Sequence, residues 1–192
     1  MIIGITGGVG SGKSTVLSYI KEKYDSIILL TDDIAKELQK PNQISYNLIV
    51  KHFGKQILKD DNTIDSKKLA KIVFNDKKEL ELLNSFCHPY VIEYIKNIVI
   101  TNKNKLIFIE SALLLDTELK NLCDEIWYIK VDIELRKDRL KRNRNYSDEK
   151  INNMIKFQKS EEYFLKHTNF VIENNNIDIM KNIVDKRLEQ IK

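Results

Sequence analysis

Two cysteines, two prolines, one tryptophan and six glycines are all that 192 residues contain of these types. Each scarcity excludes something. Cys87 and Cys123 form no C-x-x-C pair and have no histidine at metal-ligand spacing. A disulfide framework or a zinc site is therefore not expected, and both read as core thiols of a protein in the reducing cytosol. No apolar run approaches the roughly 20 residues of a membrane span, so no membrane partner is expected. No basic region followed by a long apolar segment opens the chain, so no signal peptide is expected either. An excess of one charge is also lacking. Against 28 Asp and Glu stand 32 Lys and Arg, a net charge of +4. That suits anionic ligands but is too weak, without a basic stripe, to argue for nucleic acid. The remainder, 42% hydrophobic and 31% charged, is the composition of a soluble globular chain. Its length allows one well-buried domain with a small inserted subdomain, and nothing marks an oligomer interface, so a monomer is expected.

The scarce glycine is concentrated. Five of the six fall between Gly4 and Gly12, in MIIGITGGVGSGKST. Glycine loses more backbone freedom on ordering than any other residue, so such a cluster needs a reason. Residues 7–14, GGVGSGKS, fit G-x-x-x-x-G-K-[ST] through Gly7, Gly12, Lys13 and Ser14, between an apolar run and a helical pattern. That is the context of a phosphate-binding loop. Glycines let successive N–H groups turn toward phosphate oxygens, and the following helix offers its positive end to the same anion. Gly8, Val9, Gly10, Ser11, Gly12, Lys13, Ser14 and Thr15 are thus the expected ATP-binding segment. Lys13 reaches the β- and γ-phosphates and the Ser14 hydroxyl ligates Mg²⁺, with ATP as donor. The competing reading is a plain glycine turn with a chance Lys-Ser.

Short apolar runs continue along the chain at 26–30 (SIILL), 105–110 (KLIFIE), 125–132 (EIWYIKVD) and 169–174 (NFVIEN), each suited to a strand buried on both faces. With 2–6 they make five. From Asp32 to about Ile100 the apolar spacing is by three and four, interrupted by the turn-like LKDDNT at 58–63, with Pro89 marking another boundary. Strands alternating with helices argue for an α/β fold with a five-stranded parallel sheet. The helical stretch 31–95 is expected as an insert, 1–30 with 96–192 as the core, and a final helix over about 177–191.

The guanine reader of a GTPase is missing: NKNK (102–105) ends in Lys105 and precedes a strand. A small chain with a helical insert and a late arginine-rich segment suits a small-molecule kinase. Asp32 and Asp33 stand at the C-terminal end of the second strand, where doubly wound sheets hold ligands. Asp32 reads as the base that takes the proton of a substrate hydroxyl, and Asp33 as the cap of the next helix, a position acids favour. Glu110 ends the third strand and either orients magnesium-bound water or serves a helix N-terminus. RKDRLKRNRN supplies Arg136, Arg139, Arg142 and Arg144, either as a lid that closes over the triphosphate or as an exposed charged helix.

The chain resembles the dephospho-coenzyme A kinase family at IGITGGVGSGKST, TDDIAKELQKP, HFGKQILKDDNTID followed by LAKIVF, LLNSFCHP, FIESALLLD and FVIEN. The likeness runs over essentially the whole chain. It implies a P-loop kinase fold with a helical substrate-binding region at 31–95 and a helical lid at about 136–165. It also implies transfer of phosphate from ATP to the ribose 3′-hydroxyl of dephospho-CoA, the last step of coenzyme A synthesis. On that likeness Asp32, counted back from Pro41, is the base, with Lys13 and Arg139 beside it in catalysis. Arg142 and Arg144 join the ATP site, and Asp33, His88 and Leu113 join Asp32 on the substrate. For His88 a structural role, fixing a helix start, is the stronger reading. The pattern is broken at Leu30, Ala112, Asn143, Met154, Phe164 and Ser66, where the family commonly has Asp, Pro or a basic residue. Two alternatives stay open: a kinase for another nucleoside, nucleotide or pantetheine-like acceptor, and a catalytically weak nucleotide-binding protein.

Overall fold

A computed structural model describes residues 1–74 and 76–191. The chain forms two compact units, one of Met1–Leu29 with Lys103–Lys192 and one of Leu30–Asn102. The first is built on strands β1 (Ile2–Thr6), β2 (Ser26–Leu30), β3 (Leu106–Glu110), β4 (Glu125–Lys130) and β5 (Phe170–Glu173). They lie side by side in the order β2-β3-β1-β4-β5. β1 pairs parallel with β3 on one side and β4 on the other, and β4 pairs parallel with β5. All five apolar runs become strands.

The central strands are apolar throughout because both faces are covered. Ile3, Ile5, Phe108, Ile109, Trp127 and Ile129 are wholly buried. Helices α1 (Lys13–Lys23), α6 (Ile133–Arg144), α7 (Asp148–Lys156), α8 (Glu161–His167) and α9 (Ile177–Gln190) complete this unit. α1 and α9 are tied together by Asp185 of α9, which accepts hydrogen bonds from Tyr19, Lys23 and Tyr24.

The lone tryptophan sits at the middle of this core. Its ring meets Phe108 at 5.8 Å and Phe170 at 5.5 Å, and its indole N–H donates to Glu125 Oε2 at 2.8 Å. Arg187 of α9 holds the same carboxylate. A buried indole needs such an acceptor, because an unpaired N–H carries the full desolvation penalty.

The second unit contains α2 (Thr31–Leu38), α3 (Ile44–Phe53), α4 (Ser66–Val73) and α5 (Lys77–Thr101). Its core gathers Ile49, Phe53, Ile57, Leu69, Val73 and Cys87. Asp65 and Asp76 cap α4 and α5 by accepting from backbone N–H groups two and three residues on.

Three local expectations are corrected here. Pro89 is no boundary: it lies inside α5, which runs unbroken to Thr101. Buried Cys87, Val91 and Ile95 hold the helix on both sides of the proline, so tertiary packing outweighs the local penalty. His88 therefore fixes no helix start, being mid-helix. Asp33 is not a cap, because α2 begins directly after β2 with Leu30 at its N-cap and no side-chain cap bond. Asp33 instead pairs with Lys36 at 2.8 Å.

The two thiols are free. Burial raises both, Cys123 to about 12, which makes them poor nucleophiles. No described helix is long and apolar enough to cross a membrane.

Because Trp127 is the one tryptophan of the chain, its fluorescence reports unfolding of the first unit. Glu125→Leu leaves the indole N–H and Arg187 without their acceptor. It is expected to destabilise this unit by about 1–3 kcal/mol in urea titrations. Arg187→Met, which keeps the indole acceptor, is expected to cost less.

Candidate active site

The C-terminal end of β1 is where the sheet divides, since β3 and β4 flank it on opposite sides. A crevice at such a switch point is where open α/β sheets hold ligands. The glycine loop leaves β1 at this point. Gly10 and Gly12 take φ of 79° and 82°, the left-handed region that other residues enter only at a cost. Gly12 is the N-cap of α1, and its carbonyl accepts from Thr15 and Val16 to start the helix. Ser14 and Thr15 are exposed on that first turn. The loop thus presents a helix N-terminus with its dipole toward the crevice, the arrangement that binds anions.

Lys13 extends back along the loop. Its ammonium donates to the Gly7 carbonyl at 3.0 Å and lies 3.5 Å from Glu110 Oε1, the acid that ends β3. Both side chains are about one-sixth exposed, at 16%. Two of the residues singled out from sequence on separate strand ends are therefore brought together, with Lys13 between loop and acid.

A side chain that sequence reasoning did not single out fixes the loop from behind. Asn174 follows β5 and is 2% exposed. Its amide donates to the Ser11 carbonyl at 2.9 Å and to the Gly12 carbonyl at 3.5 Å. A Cβ on Gly12 would collide with this amide, so the loop and Asn174 fit only with glycine there. The Asn174 carbonyl in turn accepts from Arg139 Nη2 at 2.8 Å. The other terminal nitrogen, Arg139 Nη1, is buried with no partner among the described residues, and stands 3.4 Å from where a Gly12 Cβ would be. Ser11 Oγ is likewise buried and unpaired. Buried polar atoms are nearly always satisfied, so an unmatched guanidinium donor beside an anion-binding loop fits a phosphate oxygen as its missing partner.

Arg136, one of the four arginines noted in the charged run, and Gln158, for which no signal stood out, both contact the loop at Val9. Burial lowers the Arg136 guanidinium from its ordinary value, yet an arginine stays charged at neutral pH. Arg142 and Arg144 are not brought to the loop. They are exposed in the last turn of α6, where Arg142 lies 3.9 Å from Asp138. Helical phase separates Arg142 from the inward pair, and Arg144 is set apart by its place as the last residue of α6. Arg136, Arg139 and buried Leu140 are spaced i, i+3, i+4 on one face, whereas Arg142 is turned about 120° from Arg136. Applied to the charged run, that spacing sets Arg142 apart but not Arg144, which comes back to the same face one turn beyond Leu140 and is exposed at the helix end.

Leu113 follows β3 and is half-exposed, its N–H donating to Ser111 Oγ. Asp32, Asp33 and His88 belong to the second unit, the acids on the first turn of α2 and His88 half-buried on α5. Of the departures from the family pattern, Phe164 has a packing reason. It is buried and stacks on Tyr128 with centroids 4.8 Å apart and rings nearly parallel. Among the described residues no three His, Cys, Asp or Glu side chains gather as a metal cage. Magnesium needs only one or two protein oxygens when phosphates and water supply the rest, and Ser14 and Glu110 are suitable donors.

A family model described as dephospho-CoA kinase matches residues 1–179. The dephospho-CoA kinase of Fusobacterium nucleatum is 36% identical over 196 aligned positions, covering 100% of this chain and 98% of that one. Among solved structures, the dephospho-CoA kinase from Campylobacter jejuni aligns with a TM-score of 0.66 at 27% identity, covering 100% of this chain and 97% of that one. A Thermus thermophilus protein aligns over 100% of this chain and 97% of its own with a TM-score of 0.87, and at 24% identity it supports the fold alone. With a five-stranded parallel sheet, a glycine loop after β1 and a match along nearly its whole length, the chain belongs to the dephospho-CoA kinase family of P-loop phosphotransferases.

Proposed function

We propose that this protein transfers the γ-phosphoryl group of ATP to the ribose 3′-hydroxyl of dephospho-CoA, giving CoA and ADP, the last step of coenzyme A synthesis. Membership of the family over residues 1–179 supports the substrate. The observation that carries the chemistry is the placing of Lys13 between the Gly7 carbonyl and Glu110 at the mouth of the glycine loop.

In this reading the first unit holds ATP, with the segment at about 136–165 as its lid, and the helical unit holds dephospho-CoA. The new P–O bond forms at the ribose oxygen as the bond to ADP breaks. Asp32 takes the hydroxyl proton as base. Lys13 moves from the Gly7 carbonyl to the β- and γ-phosphates and neutralises charge as it shifts to the leaving group. Arg139, held by Asn174 through Nη2, turns its unmatched Nη1 to a phosphate oxygen. Ser14 and, through water, Glu110 would hold Mg²⁺, which would supply positive charge to offset that of the phosphates. Asp33, His88 and Leu113 contribute to the acceptor site. Arg142 and Arg144 enter the ATP site only if the lid moves. The reaction is assigned to the cytoplasm, with the chain acting as a monomer on small-molecule substrates, and the free thiols agree with that compartment.

The test is ADP release from ATP and magnesium with dephospho-CoA, beside AMP, adenosine and pantetheine as acceptors. Turnover with dephospho-CoA alone is expected. Turnover only with another acceptor overturns the substrate assignment, and none with any acceptor overturns the enzyme reading. Lys13→Ala is expected to lower kcat by about 10²–10³, the scale of losing one charge-stabilising donor. Asp32→Asn is expected to lower kcat by roughly 10²–10⁴ with KM for ATP little changed, as for loss of a general base. Arg139→Lys keeps the charge but cannot serve Asn174 and a phosphate from one planar fork. It is expected to lose about tenfold or more in kcat/KM for ATP.

A further inference from the structure

We propose that Arg136 and Gln158 form a clasp on Val9 that positions the phosphate-binding loop for nucleotide, and that residue 8 is glycine because of this clasp. The inference rests on the reading that the loop binds ATP, and on nothing about the acceptor.

Both backbone polar groups of Val9, at the tip of the loop, are engaged. Its N–H donates to Gln158 Oε1 at 3.3 Å, and its carbonyl accepts from Arg136 Nε at 3.1 Å. Arg136 Nη2 donates to the same Gln158 oxygen at 2.7 Å, closing a three-membered ring of hydrogen bonds. The three residues come from the β1–α1 loop, from α6 and from the connection between α7 and α8. One carboxamide oxygen thus joins three segments far apart in sequence.

Gly8 gives independent support. Among the described residues the glycines at positive φ are Gly7, Gly10, Gly12 and Gly54, so Gly8 has no conformational need to be glycine. It has a spatial one. A Cβ there would lie 2.5 Å from Arg136 Nη2, 2.7 Å from Arg136 Cζ and 2.7 Å from Gln158 Oε1. A side chain at residue 8 would have to push the ends of Arg136 and Gln158 aside, and so open the clasp.

The physical consequence is preorganisation. A loop with so many glycines is costly to order at the moment of binding, and contacts made beforehand remove that cost. The clasp also brings a guanidinium charge next to the anion site. It acts on Val9, upstream of Lys13, Ser14 and Thr15, and so orders the loop without consuming the N-terminus of α1. The same contact sets the phase of α6, whose Leu140 packs against Gly10 and whose Arg139 follows Arg136 by three residues. Arg136 and Gln158 are therefore positioning residues.

The experiment is calorimetric titration with ATP and magnesium in the absence of acceptor, with steady-state KM and kcat measured beside it. Arg136→Met and Gln158→Met, which keep length and lose the hydrogen bonds, are each expected to weaken ATP binding about tenfold while kcat changes less than about threefold. Gly8→Ala is expected to cost about as much in the parent and under about twofold in an Arg136→Ala, Gln158→Ala background, because the obstructing groups are gone. Trp127 fluorescence in urea confirms that each variant compared is folded. An equal cost of Gly8→Ala in both backgrounds overturns the proposal, since the methyl would then be meeting the ligand and not the clasp. Tighter ATP binding by Gln158→Met overturns it too, as the contact would then be occluding the site. A parent that binds no ATP overturns it together with the ATP reading. A parent that binds ATP with the expected pattern, but does not phosphorylate dephospho-CoA, leaves the clasp standing and removes only the acceptor.

Discussion

One buried amide holds the site together. Asn174 donates from its side chain to the carbonyls of Ser11 and Gly12 and accepts from Arg139 at its backbone oxygen. A loop rich in glycine has little side-chain packing of its own, so its shape comes from partners for its backbone. Carbonyl groups turned away from the ligand must be bound from behind if N–H groups are to face it, and an asparagine at the end of the fifth strand supplies the donors. The same residue, through its own backbone, brings in the guanidinium. Loop shape and the position of the nearest cation are thus set by one residue whose place in the sheet is fixed by a backbone bond to Lys130.

The sheet order gives this arrangement its location. β1 lies between β3 and β4, so Glu110 at the end of β3 and the glycine loop at the end of β1 open side by side. Lys13 spans the gap. Its contact with the Gly7 carbonyl is modest in strength, and its contact with Glu110 at 3.5 Å is looser still. An ammonium held this lightly keeps its charge near the loop and can transfer to a stronger anion at little cost. Triphosphate is such an anion, with more charge than one carboxylate and oxygens placed for several donors at once. In the proposed function, the resting contacts hold the lysine near its point of use.

Much of the fold was legible because burial on both faces forces continuous apolar runs, and all five such runs are strands. The loop was legible because its glycines and Lys-Ser follow from the needs of backbone geometry and charge. The parts that escaped are those decided by packing between distant segments. Pro89 carries a strong local signal against helix, yet α5 continues through it because residues on either side are buried among other helices. Asp33 has a capping residue's chemistry, but the strand runs straight into the helix and leaves no place for a cap. Asn174 and Gln158 are ordinary polar residues in sequence, and only the fold brings them to the loop.

The arginine run is an intermediate case. Its composition pointed to phosphate but not to which members matter, and charge alone could not choose among four. Burial chooses. Arg136 and Arg139 lie against the loop with Leu140 beneath them, while Arg142 and Arg144 face water on the next turn. An arginine in water is screened and mobile and gives little to a bound anion. One whose other donors are already tied to backbone and side chain loses less freedom when it meets a phosphate, and its field is less screened. The two inward arginines also differ from each other. Arg136 has its Nε and Nη2 donors matched within the protein, whereas Arg139 keeps a buried nitrogen with no partner among the described residues. A matched arginine serves to hold the loop. An unmatched one beside the glycine loop is, in the proposed function, the one that meets the phosphate.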